Sequence, residues 1–156
     1  YGNFELAFEY NADAKVNSGV FLRVSDLDDE VHTGLEIQIL DTYGKEPPLD
    51  KGDSGALYDM IAPSTNPLSP AGEWNRMRLR CEGPRVEVEL NGVLVVEADL
   101  ELFDTPGMNP DGTSNKFKYA WKTMPRMGHI GLQTHAGMGG LSDLKIRFRN
   151  LVVQTL

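Results

Sequence analysis

The sequence contains a single cysteine, Cys81, so no disulfide can form within the chain, and cysteine usage leaves the redox compartment open. It has no apolar run near the roughly 20 residues that a membrane helix requires, and no membrane partner is expected. Positive charge is in deficit. A formal net charge of -8 argues against a nucleic-acid or anionic-membrane partner, because those interactions depend on Lys and Arg displacing counterions. No segment carries an apolar stripe of helical period over three turns. There is no GxSxG elbow, phosphate-binding glycine loop or dinucleotide fingerprint, so a serine hydrolase, a nucleotide enzyme and an oxidoreductase are all unsupported. No basic, apolar and small-residue leader opens the chain. It starts in strand pattern at Tyr1, as expected where a signal has been removed or where the chain is an excerpt of a longer protein.

Two-residue alternation is what the sequence has in abundance. Phe4, Leu6, Phe8 and Tyr10 alternate with Glu5, Ala7 and Glu9; Val20, Leu22 and Val24 with Phe21 and Arg23; Val86, Val88 and Leu90 with Arg85, Glu87 and Glu89; Ile146 and Phe148 with Lys145, Arg147 and Arg149. Successive strand side chains point to opposite faces, so each run has one apolar side, and a sheet with one apolar side must bury it against another layer. With 156 residues, 40% of them hydrophobic, 16 Gly and 9 Pro, the expectation is one all-β domain over 1–156 built from two packed antiparallel sheets. Asn91-Gly92 between alternating runs marks a tight hairpin and Gly83-Pro84 the bend before it, so residues 74–98 read as a three-stranded meander. Cys81 falls on an apolar face with Met77 and Leu79, as a buried inert thiol.

Two of the alternating runs have unusual polar sides. In Gly34-Leu-Glu-Ile-Gln-Ile-Leu-Asp41, Glu36 and Gln38 share one face and Ile37 and Ile39 the other. In Gly128-His-Ile-Gly-Leu-Gln-Thr-His135, His129, Gln133 and His135 oppose Ile130 and Leu132. Glu, Gln and His on the wet side of a sheet suit the recognition of sugar hydroxyls better than a generic solvated face. Residues 42–72 and 101–127 resist regular structure. Loops this long are binding loops or lids in some proteins and surface insertions in others, and the aromatic and basic run Lys116 to Trp121 suits a wall over the sheet.

Asn17-Ser18-Gly19 with Phe21-Leu22-Arg23, then Gly34 to Asp41, Gly55-Ala-Leu-Tyr58, Glu73-Trp-Asn75, Asn91-Gly92, Gly128 to Gln133 with His135, and Phe148-Arg-Asn150 resemble, in order and over nearly the whole chain, the bacterial 3-keto-disaccharide hydrolase family. The resemblance implies a concanavalin A-like jelly-roll sandwich, in agreement with the alternation. It implies action on glycosides already oxidised at C3, by elimination or by net hydrolysis through a glycal-type intermediate. It also implies export to the periplasm or beyond, and a further N-terminal strand region ahead of the position of Tyr1. The segment before Gly128 is longer and differently composed than the resemblance leads one to expect.

Such chemistry needs a base for the C2 proton, a group to stabilise the enolate oxygen and an acid for the leaving group. Glu36 is the first candidate for base or acid, His135 the second, and Arg23 a candidate to polarise the keto oxygen, unless it forms a structural ion pair with Glu36. Asn17, Gln38, Asp41 and Gln133 are candidates for binding hydroxyls, and Tyr58 and Trp121 for stacking on a sugar ring, whereas Trp74 is expected in the core. His129 reads as a structural histidine. A divalent metal held by His32, Glu36, Asp41 and His135 is conceivable for stabilising an enediolate, although no HxH or HExxH spacing marks one. The run Asp26 to Glu30 lacks the ligand periodicity of a calcium loop and reads as a solvated turn. The carbohydrate partner follows either from an enzyme whose polar face comprises Arg23, Glu36, Gln38, Gln133 and His135 or from a lectin-like binding module. An interaction domain of a larger secreted protein is a third reading, and nothing in the sequence sets the oligomeric state.

Overall fold

A computed structural model describes residues 1–156. Eight strands form: β1 (Phe4–Ala12), β2 (Asn17–Val24), β3 (Leu35–Leu40), β4 (Trp74–Glu82), β5 (Arg85–Leu90), β6 (Val93–Asp99), β7 (His129–Leu132) and β8 (Ile146–Thr155). They make two antiparallel sheets, one in the order β6-β5-β4-β1-β8 and one in the order β3-β2-β7, and the fold is the all-β jelly-roll sandwich of concanavalin A-like type. Residues 74–98 are the expected meander. Asn91 and Gly92 both take positive φ in its hairpin, and the Asn91 side chain links it to the neighbouring loop, accepting from Arg76 N at 2.8 Å and donating to Pro67 O at 2.9 Å.

One apolar core lies between the sheets. Phe4, Leu6, Phe8 and Tyr10 of β1 meet Met77, Leu79 and Cys81 of β4 and Val86, Val88 and Leu90 of β5 on one side, and Val20, Leu22, Leu35, Ile37 and Ile39 on the other. Each full burial of such a side chain is worth about 1.5–3 kcal/mol, so these positions carry most of the stability. The Cys81 thiol is buried among them, and desolvation pushes its pKa up to about 11, as an inert structural cysteine requires. Helix is limited to the turn Glu30–Thr33 and three short 3-10 turns.

The two irregular segments are not surface ornaments. Ala56, Leu57, Met60 and Leu68 from the first, and Phe103, Phe117, Ala120 and Trp121 from the second, are buried. Trp74, expected in the core, is instead 38% exposed at the start of β4, with the Arg149 guanidinium 3.7 Å from its ring centroid. Leu132, expected to share a buried face with Ile130, is 47% exposed, because β7 is the edge strand of the smaller sheet.

Candidate functional site

The outer face of the three-stranded sheet is roofed rather than bare. Glu36 and Gln38 project from β3 as the two-residue period requires, but they are only 6% and 4% exposed. Segment 55–58 lies along the free edge of β3: Gln38 N donates to Ala56 O at 3.0 Å, Gly55 N to Gln38 O at 2.8 Å and Tyr58 N to Glu36 O at 2.9 Å. This pairing sets the Tyr58 ring beside Glu36. From the opposite side, Gln133 follows β7 and is held by its backbone, with its N–H on Gly19 O at 2.9 Å and its carbonyl accepting from Ser18 Oγ at 2.7 Å.

Gly19 on the central strand β2 forms the floor. A Cβ there would lie 3.2 Å from the Ile37 carbonyl oxygen and 3.3 Å from both Gln133 Oε1 and Glu36 Cγ. The missing side chain is what lets residues from both neighbouring strands converge. Over this floor the loop that precedes β7 lowers Lys116. Asn17, Val31, Glu36, Gln38, Tyr58, Lys116, Gln133 and His135 line a cavity of about 180 Å³. One wall includes Val31 of the helical turn, and an ion pair of Lys118 with Asp29 at 3.2 Å holds that turn to the loop.

The polar contacts inside form two chains. Glu36 Oε1 accepts from Gln133 Nε2 at 2.9 Å, and Glu36 Oε2 accepts from Lys116 Nζ at 3.3 Å. Gln38 Nε2 donates to Asn17 Oδ1 at 3.3 Å. His135 Nδ1 lies 2.7 Å from the Ala136 carbonyl and 3.1 Å from Asn17 Nδ2; the shorter contact calls for the proton on Nδ1, which leaves Nε2 as the acceptor. Gln38 Oε1 and Gln133 Oε1 are buried and have no protein donor. The Tyr58 hydroxyl is held above its ordinary pKa, first by burial and then by the nearby Glu36 and Asp59 charges, so the ring stays neutral.

Six of the nine candidate residues are therefore brought together: Asn17, Glu36, Gln38, Tyr58, Gln133 and His135. Arg23 is not among them. The pairing of β2 with β7 slips between Phe21 and Val24, Arg23 takes φ 53°, and the bulge turns its side chain away from the face shared by Gly19 and Phe21. The guanidinium is buried, at 2% exposure, donating to Gly2 O at 3.0 Å, Gly83 O at 2.8 Å and Asn3 Oδ1 at 3.4 Å, with no ion pair to Glu36. Trp121 packs edge-on against Phe117 in the core, 5.0 Å between centroids, and offers no sugar platform. Asp41 stands outside the cavity, where a carboxylate oxygen accepts from Lys15 N at 2.7 Å.

The imagined ligand set of His32, Glu36, Asp41 and His135 is also dispersed. Glu36 and His135 line the cavity, His32 and Asp41 do not, and nowhere do three His, Cys, Asp or Glu side chains converge as a metal centre. The donor set does not fit a metal. Within Asp26 to Glu30 the carboxylate of Asp26 accepts from Asp28 N at 2.9 Å, a local turn. His129 is exposed at the start of β7, outside the cavity.

Lys116, Val31 and the Gly19 floor were not legible as site residues. Lys116 stood out in the sequence only as part of an aromatic and basic run, where nothing separates it from Lys118, which pairs with Asp29 instead.

Residues 1–154 match the 3-keto-alpha-glucoside-1,2-lyase-like domain. A 3-keto-disaccharide hydrolase of Bacteroides thetaiotaomicron is 25% identical over 182 aligned residues, which take in all of this chain and 59% of that protein, so the chain spans well under two thirds of its relative's length. A solved structure of a candidate glycosyl hydrolase from Parabacteroides distasonis ATCC 8503 is 32% identical, with a TM-score of 0.88 over 100% of this chain and 79% of the other. A carbohydrate-binding module of Bacillus subtilis, 12% identical with a TM-score of 0.53 over 99% of this chain and 76% of the other, shares the fold alone.

Proposed function

The chain belongs to the 3-keto-alpha-glucoside-1,2-lyase-like domain family, and we propose that it cleaves the glycosidic bond of 3-keto-glycosides, with Glu36 as the base. The observation that carries this reading is the Glu36 carboxylate itself. It sits in a small polar cavity between an amide, an ammonium and a neutral phenol ring, with two buried amide oxygens close by. A carbonyl at C3 acidifies the C2 proton, so a carboxylate at contact distance can remove it, and general-base catalysis of this kind is worth about 10²–10⁴-fold.

The proton balance closes without an external reagent. Glu36 takes the C2 proton, the electron pair forms the enolate, and collapse of the enolate restores the ketone while the C1–O bond breaks and C1=C2 forms. The departing oxygen takes the proton back from Glu36. Addition of water across C1=C2 then gives net hydrolysis.

At about 180 Å³ the cavity is smaller than the roughly 300–1,000 Å³ typical of drug-sized ligands, which suits one sugar ring with the leaving group outside. The same fold hosts carbohydrate-binding modules, and the amides of Asn17, Gln38 and Gln133 would serve a module equally well, so the alternative is binding without turnover.

Turnover of a 3-keto-glucoside by the purified chain, followed by loss of the keto-sugar absorbance with added divalent metal and with EDTA, separates the two. Cleavage that Glu36→Gln abolishes supports the enzyme. Folded protein that binds the sugar and is inert under every metal condition is a binding module.

A further inference from the structure

Both oxygens of the supposed base are engaged, and one of the engaging groups is a cation. Lys116 Nζ stands 3.3 Å from Glu36 Oε2 and 4.2 Å from the centroid of the Tyr58 ring. It is the only lysine or arginine in the cavity wall. An ammonium has three N–H donors: one contact is to the carboxylate and one face lies on the aromatic ring, which leaves donor capacity toward the cavity.

The lysine is held there from behind. Its backbone N–H donates to Asp59 Oδ2 at 2.7 Å, and Asp59 sits at φ 61°, a conformation rare for a non-glycine residue, with its carbonyl accepting from Asn109 Nδ2 at 3.1 Å. Asn109 is itself buried and accepts from Asn115 Nδ2 at 2.9 Å, one residue before Lys116. The two irregular segments are thus clamped together at the residue that delivers the cation. Backbone strain and a buried amide hub are an expensive way to position a solvated lysine, and they make sense for one whose ammonium must stand at a fixed place.

Resting on the proposed keto-glycoside chemistry, we infer that Lys116 is a catalytic residue which neutralises the enolate oxygen, and that Asp59 is its positioning residue. In the free site the ammonium is shared with Glu36. When the 3-keto oxygen enters beside it, a Lys116 N–H turns to that oxygen, which polarises the ketone and frees a Glu36 lone pair for the C2 proton in the same movement. The C2–H bond breaks, its proton goes to Glu36, and the electron pair becomes the C2=C3 bond with the negative charge on O3 against Nζ. Nothing is oxidised or reduced in the step. Arg23 lies at the bulge with its guanidinium committed to the Gly2 and Gly83 carbonyls, and it does not reach this oxygen.

The step can be isolated with 3-keto-1,5-anhydroglucitol, which has an acidic C2 proton and no leaving group at C1, so exchange of that proton in deuterium oxide reads enolisation alone. Lys116→Met is expected to slow exchange at saturating ligand by about 10²-fold or more, the scale of a lost oxyanion donor, and Lys116→Arg to restore most of it. Lys116→Cys is expected to be as slow as Lys116→Met and to recover on treatment with 2-bromoethylamine, which rebuilds a lysine-length side chain with sulfur in place of the γ-methylene and the ammonium close to its native place. The native Cys81 is fully buried and does not compete for the reagent. Asp59→Asn should lower the exchange rate less than Lys116→Met does, with ligand affinity nearly kept.

Exchange by folded Lys116→Met within threefold of wild type overturns the assignment while leaving the keto-glycoside reading intact, and so does a Lys116→Cys protein that aminoethylation fails to revive. Wild-type protein that neither cleaves a 3-keto-glucoside nor exchanges the anhydro sugar overturns both.

Discussion

The two sheets of this sandwich bury similar apolar inner faces, and they differ in what they do with their outer ones. On the five-stranded sheet the outward side chains form a ladder of opposite charges left partly in water. Glu5 pairs with Arg78 at 2.7 Å, Arg78 with Glu89 at 3.2 Å and Arg80 with Glu82 at 2.7 Å, all with side chains between a quarter and about half exposed. On the three-stranded sheet the outward residues that line the cavity are amides and a carboxylate, roofed by two loops and incompletely paired. A polar face whose groups satisfy one another across strands needs nothing more. One held away from water with acceptors to spare is complementary to something that brings donors.

The largest expected effect is on chemistry. Glu36→Gln should lower kcat/KM for a 3-keto-glucoside by about 10³-fold and leave sugar affinity, read by calorimetry, within a few-fold. Glu89→Gln, the same change on the other sheet, should leave turnover untouched. Equal losses would erase the distinction between the two faces.

Next comes a change expected to cost stability alone. Arg23→Ala leaves the Gly2 and Gly83 carbonyls without their donor and opens a void, for a loss of about 3 kcal/mol in denaturant unfolding, while kcat of the folded protein is unchanged. A fall in kcat would return Arg23 to the site.

Gly19→Ala tests the floor. A methyl group 3.2–3.3 Å from three atoms of its neighbours forces Gln133 and Glu36 to shift, for about 1 kcal/mol of stability and about a tenfold fall in kcat/KM. Stability lost with activity intact would mean that the convergence over Gly19 is incidental.

The smallest effect belongs to the charged ladder. The Arg78 guanidinium, by hydrogen bond first and by charge as well, holds the Glu5 carboxyl below its ordinary pKa. A folded-state pKa below the unfolded one stabilises above the unfolded value of about 4.3 and loses that contribution as pH falls through the folded value. Wild type should therefore lose stability on acidification below about pH 4.5, and Glu5→Gln should lose less over the same window, the difference being at most about 1 kcal/mol for a partly exposed pair and shrinking with added salt.

Much of the fold was legible because strand period and turn chemistry are local. Phe4 to Tyr10, Val86 to Leu90 and the Asn91-Gly92 turn behave as their immediate neighbours in sequence dictate. Glu36 and Gln38 were legible as a polar pair for the same reason. Arg23 was misread because the period counts residues and cannot see a bulge, which inserts one residue and reverses the side. Gly128 marks that place from the other strand: a Cβ there would lie 2.3 Å from the Val24 carbonyl oxygen, so only glycine can pack against the bulge. Trp121 was misread because an aromatic in an irregular loop suits a ligand platform and a core plug equally well until its neighbours are known, and Phe117 supplied the second.

By itself the sequence determined the two apolar faces, the hairpin and the polar residues offered by β3, all properties of segments of ten residues or fewer. Only the tertiary structure decided which polar face is closed over and which cation it receives. Lys116 is 80 residues from Glu36 and Gln133 is 97, and their meeting depends on loop closure, on the bare backbone at Gly19 and on the Asp59 and Asn109 clamp. None of these has a period along the chain, because the free energy that fixes them comes from contacts between segments that sequence order holds far apart.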